Sequence, residues 1–198
     1  MIVSNKSFWI GVVLSPVLLG VVWFAANKPK IDSTPKVQSP VATFDFVPTT
    51  EKKELSKKAF QRLNLEDGTT SPTTFNEFSG KPMIVHYWAT WCGACVEEMP
   101  AIAKFAEQNG DKINFIIIAS DSTGGSDVLN YCKTNGIKNI NIFIDQKGTV
   151  LRDLKVNALP TTIFASEERV EAGRVVGAID WLGQSGTVIQ SYLTKGNE

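Results

Sequence analysis

The sequence predicts an α/β domain, a central mixed β-sheet flanked by helices, carried behind one N-terminal transmembrane helix. Three observations predict it. Strand and helix patterns alternate from Phe60 to Ile144, the order that parallel strands joined by helical crossovers produce. A hairpin and a last helix follow, which add antiparallel strands to the sheet. Ahead of both, the 19 residues from Phe8 to Ala26 run without a charge.

Composition bounds the rest. The 198 residues hold one domain and an accessory segment, and 43% hydrophobic content supports an ordinary core. Net charge is zero and no basic stripe occurs, so nucleic acid is excluded as the partner. Three cysteines are too few for a disulfide scaffold, and one histidine excludes a metal centre built on several imidazoles.

Residues 1–7 form a short tail. The 8–26 stretch, at about 1.5 Å per residue, spans about 28 Å, close to a bilayer's hydrocarbon core. Trp9 and Trp23 lie near its ends, and Pro16 is tolerated in a membrane helix. Trp23 and Phe24 precede Ala25 and Ala26, a poor cleavage site, so the segment reads as an uncleaved anchor rather than a signal peptide. Lys6 on one side and Lys28, Lys30 and Lys36 on the other leave its orientation unmarked. Residues 27–57, with Pro29, Pro35, Pro40 and Pro48, read as an extended linker. Within it Phe44–Val47 alternates enough for an edge strand, and Glu51–Lys58 reads as a solvated face.

Residues 58–195 make the globular domain. Phe60–Leu65 alternates as a half-buried strand ending at Asp67-Gly68, and Thr74–Phe78 as a short helical turn. Met83–Trp88, apolar except for His86, predicts a strand buried on both faces. A helix begins at the cysteines and stops at Asn109-Gly110. Ile113–Ala119 is the next buried strand, Ser126–Asn135 a helix, and Ile140–Ile144 a short strand. Thr161–Ala165 and Val170–Val176 form the hairpin, and Trp181–Leu193 the closing amphipathic helix.

The chemistry centres on Cys92-Gly93-Ala94-Cys95, between a buried strand and a helix start. The first helical N–H groups lack intrahelical partners and the helix dipole is positive there, so a thiolate at Cys92 is stabilised over the thiol. A free cysteine is about 3% thiolate at neutral pH, and such a setting lowers the pKa to roughly 3.5–7.5. Two intervening residues let Cys95 reach the Cys92 sulfur and resolve a mixed disulfide. A zinc site would need Cys132 and His86 to complete it, for want of a second Cys-x-x-Cys pair. Cys132 itself reads as a small buried hydrophobe, with a regulatory disulfide as the alternative.

Tyr87-Trp88-Ala89-Thr90-Trp91-Cys92-Gly93-Ala94-Cys95 resembles the active-site segment of thioredoxin-fold proteins, and Glu97-Glu98-Met99-Pro100 is similar to the membrane-anchored TlpA/ResA/DsbE branch. Leu159-Pro160-Thr161-Thr162 looks like that family's cis-proline loop, and Val176–Trp181 its run into the last helix. The resemblance covers about Phe60 to Leu193, with 124–144 similar to the branch's insert, and implies a thioredoxin-like fold. It implies a cis Pro160, with the Leu159 backbone pairing to a substrate strand; the alternative is a trans proline opening a strand. Trp91, Gly93 and Ala94 would shape the docking surface, and Trp88 would be core. Pro100 would kink the helix. Glu98, on the cysteine face one turn past Cys95, is implied to tune the resolving thiol and relay its proton; otherwise it is a solvated carboxylate. His86 stands where thioredoxin has an aspartate. It reads either as a base near neutral pH or as a neutral, hydrogen-bonded core histidine.

The resemblance implies a disulfide reductase on the extracytoplasmic face of a bacterial inner membrane. It would receive electrons from a membrane thiol transporter and pass them to a client protein's disulfide, in cytochrome c maturation or metalloprotein assembly. The redox-active Cys92–Cys95 disulfide needs no other cofactor and no metal. Two alternatives use the same cysteines: a dithiol oxidase for folding proteins, and a Cu(I)-binding module.

Overall fold

The computed structural model describes residues 45–78 and 80–195. The segment at 8–26, and the linker up to residue 44, lie outside the described residues. Among the described residues no helix is long and apolar enough to cross a membrane.

Among the described residues eight strands follow one another as β1 (Val47–Pro48), β2 (Phe60–Leu63), β3 (Thr70–Thr73), β4 (Met83–Trp88), β5 (Asn114–Ala119), β6 (Ile142–Ile144), β7 (Thr161–Ala165) and β8 (Glu171–Val176). The helices are α1 (Gly93–Asn109), α2 (Gly125–Thr134), α3 (Thr149–Asp153) and α4 (Gln184–Lys195). The strands form one mixed sheet in the order β1-β8-β7-β4-β5-β6-β2-β3. β4 lies parallel to β5 and antiparallel to β7, and all six of its residues are buried. That is why its sequence is a continuous apolar run rather than an alternation.

The pleat of β4 divides the core in two. Ile84 and Trp88 join Cys95, Met99 and Ile102 of α1 and Val128 and Cys132 of α2 on one face. Met83, Val85 and Tyr87 join Leu55, Phe75 and Val150 of α3 on the other. His86 is in phase with Ile84 and Trp88, so it points toward α1. Burial on both faces holds the end of β4, and with it the cysteine loop, in a fixed position.

Several boundaries differ from expectation. The edge strand forms at Val47–Pro48, paired with Arg174 and Gly173 of β8. An edge position accommodates Pro48, which has no N–H to donate. The Glu51–Lys58 stretch is not simply solvated. Glu54 bridges to Val170, Leu55 is buried, and the Lys53 ammonium sits 2.8 Å from the Glu171 carboxylate. The globular part therefore takes in residues that the sequence assigned to the linker. The last helix starts at Gln184, three residues after Trp181. β3 and α3 were not foreseen: β3 is the mostly exposed run Thr-Ser-Pro-Thr, zipped onto β2 by register alone.

Candidate active site

The loop from β4 to α1 is pinned before the cysteines begin. Asp121, buried just after β5, accepts the Thr90 N–H at 3.2 Å on each carboxylate oxygen and also accepts the Thr90 hydroxyl. Cys92 then takes the N-cap position of α1 with extended backbone angles (φ −92°, ψ 107°). Its sulfur accepts a hydrogen bond from the Cys95 N–H at 3.3 Å. That N–H is one of the helix-start donors without an intrahelical acceptor. The expected electrostatics thus have a concrete geometry, since sulfur at a helix N-terminus meets both the partial positive charge and a direct donor.

Cys92 and Cys95 are joined as a disulfide. Cys92 is half-buried, Cys95 is inaccessible, and Gly93 and Ala94 are exposed between them. An approaching thiolate or disulfide can therefore reach only the Cys92 sulfur. A Cβ added at Gly93 would meet nothing within 4 Å, so the surface over the pair is open.

The Leu159–Pro160 peptide bond is cis. It immediately precedes β7, whose Thr161 is in register with Tyr87 of β4, so this turn and the cysteine loop share one end of the sheet. Between them lies a groove of about 510 Å³ lined by Trp91, Cys92, Gln146, Leu151, Val156 and Leu159 among others. Trp91 is 71% exposed at its edge, a large apolar side chain left facing solvent. Among the described residues none hydrogen-bonds the Leu159 backbone. Asp145 builds the far wall: its carboxylate accepts the N–H groups of Thr149, Val150 and Leu151 at 2.8–3.0 Å and so starts α3.

Glu98 is not a solvated carboxylate. It is 7% exposed, and its Oε2 accepts the Ile179 N–H and the Trp181 Nε1–H, both at 2.9 Å. Burial pushes its pKa up to about 7, against the lowering effect of those two donors. Glu97, the neighbouring acid, is exposed. His86 is buried completely. Its Nδ1 hydrogen-bonds Thr162 Oγ1 at 3.0 Å and its Nε2 lies 3.6 Å from Glu98 Oε1. Desolvation presses its pKa down to about 3, so it is neutral near pH 7. Cys132 is buried in the core with its thiol pushed up to about 11 by burial, which makes it inert.

The structure thus brings Cys92, Cys95, Trp91, Leu159 and Pro160 to one end of the sheet, with Glu98 and His86 beneath the surface. Three supporting residues are missing from the site that the sequence predicts: Asp121, Asp145 and the Trp181 indole. Only Trp181 carried a signal, as part of the run after Val176; the others depend on contacts with no local pattern.

Comparison with known proteins agrees with this geometry. Residues 46–180 match the Redoxin family model. The thiol-disulfide oxidoreductase ResA of Bacillus cereus is 27% identical over 146 residues, 73% of this chain and 80% of that protein. The thiol:disulfide interchange protein DsbE of Pseudomonas aeruginosa is 30% identical over 122 residues, 60% of this chain and 66% of that one. The chain also matches chloroplast thioredoxin-like proteins of rice and Arabidopsis thaliana, but spans only 50% and 33% of their lengths. The crystal structure of a secreted Mycobacterium tuberculosis disulfide oxidoreductase shares the fold, with a TM-score of 0.54 at 21% identity over 66% of this chain and 95% of that one.

Proposed function

Because the chain belongs to the Redoxin family and is a thiol-disulfide oxidoreductase of the ResA/DsbE type, we propose that it works as a reductant, passing two electrons from Cys92 and Cys95 to the disulfide of a client protein. The observation that carries this reading is the asymmetry of the pair: an accessible sulfur capped by a helix N-terminus, and a buried one beneath it.

The Cys92 thiolate attacks one sulfur of the client disulfide. A Cys92–client bond forms, and the client's second sulfur leaves as a thiolate. Cys95 then gives its proton to the Glu98 carboxylate and attacks the Cys92 sulfur. The Cys92–Cys95 disulfide closes, the client's first sulfur departs, and the client holds both electrons. Glu98 suits the acceptor role because it lies one turn past Cys95 on α1, is buried like it, and changes protonation near neutral pH. The client chain lies in the groove, its backbone pairing with that of Leu159 and its apolar side chains against Trp91.

The charge-free stretch at 8–26 supports an anchor in the bacterial inner membrane with the domain on the extracytoplasmic side, where disulfides persist and a reductant has substrates. A membrane thiol transporter would re-reduce the pair. The clients would be proteins of cytochrome c maturation or metalloprotein assembly, as the resemblance of the Cys92–Pro100 segment implies.

Trapping tests the roles. Cys95→Ser should hold clients as mixed disulfides through Cys92, and Cys92→Ser should hold none. Capture by Cys92→Ser instead would overturn the assignment. The reduction potential should lie toward the thioredoxin end, about −270 mV; a value near about −120 mV would make the protein an oxidant.

A further inference from the structure

Two polar atoms inside the protein face each other without hydrogen-bond partners: His86 Nε2 and Glu98 Oε1, 3.6 Å apart. Both residues are buried, so bulk water does not satisfy them. The other polar atoms of the two side chains are engaged, Nδ1 with Thr162 and Oε2 with Ile179 and Trp181. Buried polar groups are ordinarily paired, and a shift of a few tenths of an ångström would pair these two with each other.

Which of the two donates depends on where the hydrogens sit. Imidazole carries one hydrogen on either nitrogen, and the Thr162 hydroxyl can donate or accept. We propose that His86, Glu98 and Thr162 form a tautomer switch: when Glu98 is protonated its O–H donates to Nε2 while Nδ1–H donates to Thr162, and when Glu98 is ionised Nε2–H donates to the carboxylate while the Thr162 O–H donates to Nδ1.

The balance is one proton. Passing from the first state to the second, the Glu98 O–H and the Nδ1–H bonds break and an Nε2–H bond forms, so one proton leaves the pair and the imidazole carries one hydrogen in each state. Nδ1, Nε2 and the Glu98 Oε1 are each hydrogen-bonded in both states. His86 therefore acts as a positioning residue: it works through Glu98, letting a buried carboxyl lose and regain its proton near neutrality without leaving an orphaned group behind. A side chain with a fixed donor or a fixed acceptor at position 86 would favour one state of Glu98 over the other.

The surroundings leave this exchange to one partner. β5 contributes Ile117 opposite His86, β7 contributes Thr162, and the segment before α4 contributes Ile179 and Trp181, whose indole meets the imidazole edge-on at 6.0 Å. Asp180, between the two donors, is exposed. Among the described residues Cys95, one turn back on α1, is buried as Glu98 is, and it becomes titratable once the disulfide is reduced. The low pKa of His86 and the raised pKa of Glu98 fit a pair that exchanges neutral forms rather than building an imidazolium.

The inference rests on the reading that Glu98 exchanges a proton with Cys95, but its test does not need a client. His86 is the chain's only histidine, so nitrogen NMR of the full chain, labelled with ¹⁵N-histidine and held in detergent micelles, reads one ring. The Nδ1–H tautomer should dominate at about pH 5 and the Nε2–H tautomer at about pH 9, with no imidazolium between them. Glu98→Gln should hold the ring in one tautomer across that range. His86→Leu should raise the midpoint of the Glu98 carboxyl by about one pH unit, a tenfold loss of acidity, and His86→Gln by less, because its amide can still donate. One tautomer at all pH values in the unaltered protein, an imidazolium signal, or a switch that persists in Glu98→Gln would overturn the proposal. An intact switch in a protein that traps no client would instead strike the reductase reading alone.

Discussion

The Tyr131 hydroxyl donates a hydrogen bond to the Val96 carbonyl at 2.9 Å. Val96 is four residues before Pro100, which sits inside α1 and has no N–H to offer that carbonyl. A side chain from α2 thus fills a gap that a proline opens in the active-site helix, and it ties the two helices together on the cysteine side of the sheet.

Tyr131→Phe should therefore cost about 0.5–1.5 kcal/mol, the net worth of one hydrogen bond to a half-buried carbonyl. In a Pro100→Ala background the helix supplies its own donor, and the same substitution should cost much less. Urea denaturation of the four variants measures the coupling. Equal costs in both backgrounds would mean that the hydroxyl does not replace the missing helical bond.

The α3 wall of the groove rests on Asp145, whose carboxylate takes three N–H groups and the Thr149 hydroxyl. Asp145→Ala should lower stability by about 1–2 kcal/mol, as loss of a helix cap does. It should also raise KM for a client disulfide while leaving kcat nearly unchanged, because Cys92 is held by other contacts. Steady-state kinetics with a disulfide-bonded protein substrate separate the two; a fall in kcat at constant KM would contradict this role.

Glu98 and His86 pull stability in opposite directions with pH. Folding lifts Glu98 from its ordinary 4.5 to about 7, so between those values the folded state holds a proton that the unfolded state has lost, and stability falls as pH rises. Folding lowers His86 from 6.5 to about 3, so there the unfolded state holds the extra proton, and stability rises with pH. Between pH 4.5 and 6.5 the two slopes oppose each other. Glu98→Gln removes one of them and should make stability climb by roughly 1 kcal/mol more per pH unit than in the unaltered protein. Denaturation midpoints across this window measure the slope, and parallel profiles would contradict the opposition.

The sequence disclosed the elements whose burial is complete. Met83–Trp88 and Ile113–Ala119 announce themselves as apolar runs because both faces are covered, and Cys92-Gly93-Ala94-Cys95 announces its chemistry by spacing. What stayed hidden is what depends on distant partners. β3 has no apolar pattern because it is mostly exposed and is held by pairing with β2. α3 is five residues long, and its cap lies in the preceding turn. The Glu51–Lys58 stretch looks solvated because its lysines and glutamates outnumber Leu55, the side chain that anchors it. Glu98 stood undecided between solvent and core, since its two donors are 81 and 83 residues away along the chain.

Thiol exchange by this protein depends most on the ionisation of one sulfur. In the reduced protein, the rate of iodoacetamide alkylation against pH should give Cys92 a pKa well below the about 8.5 of free cysteine. Cys95 should react far more slowly, and Cys132 should stay unmodified until the protein is unfolded. A Cys92 profile that coincides with free cysteine, or a Cys95 that is modified first, would contradict the claim that the start of α1 holds the attacking thiolate.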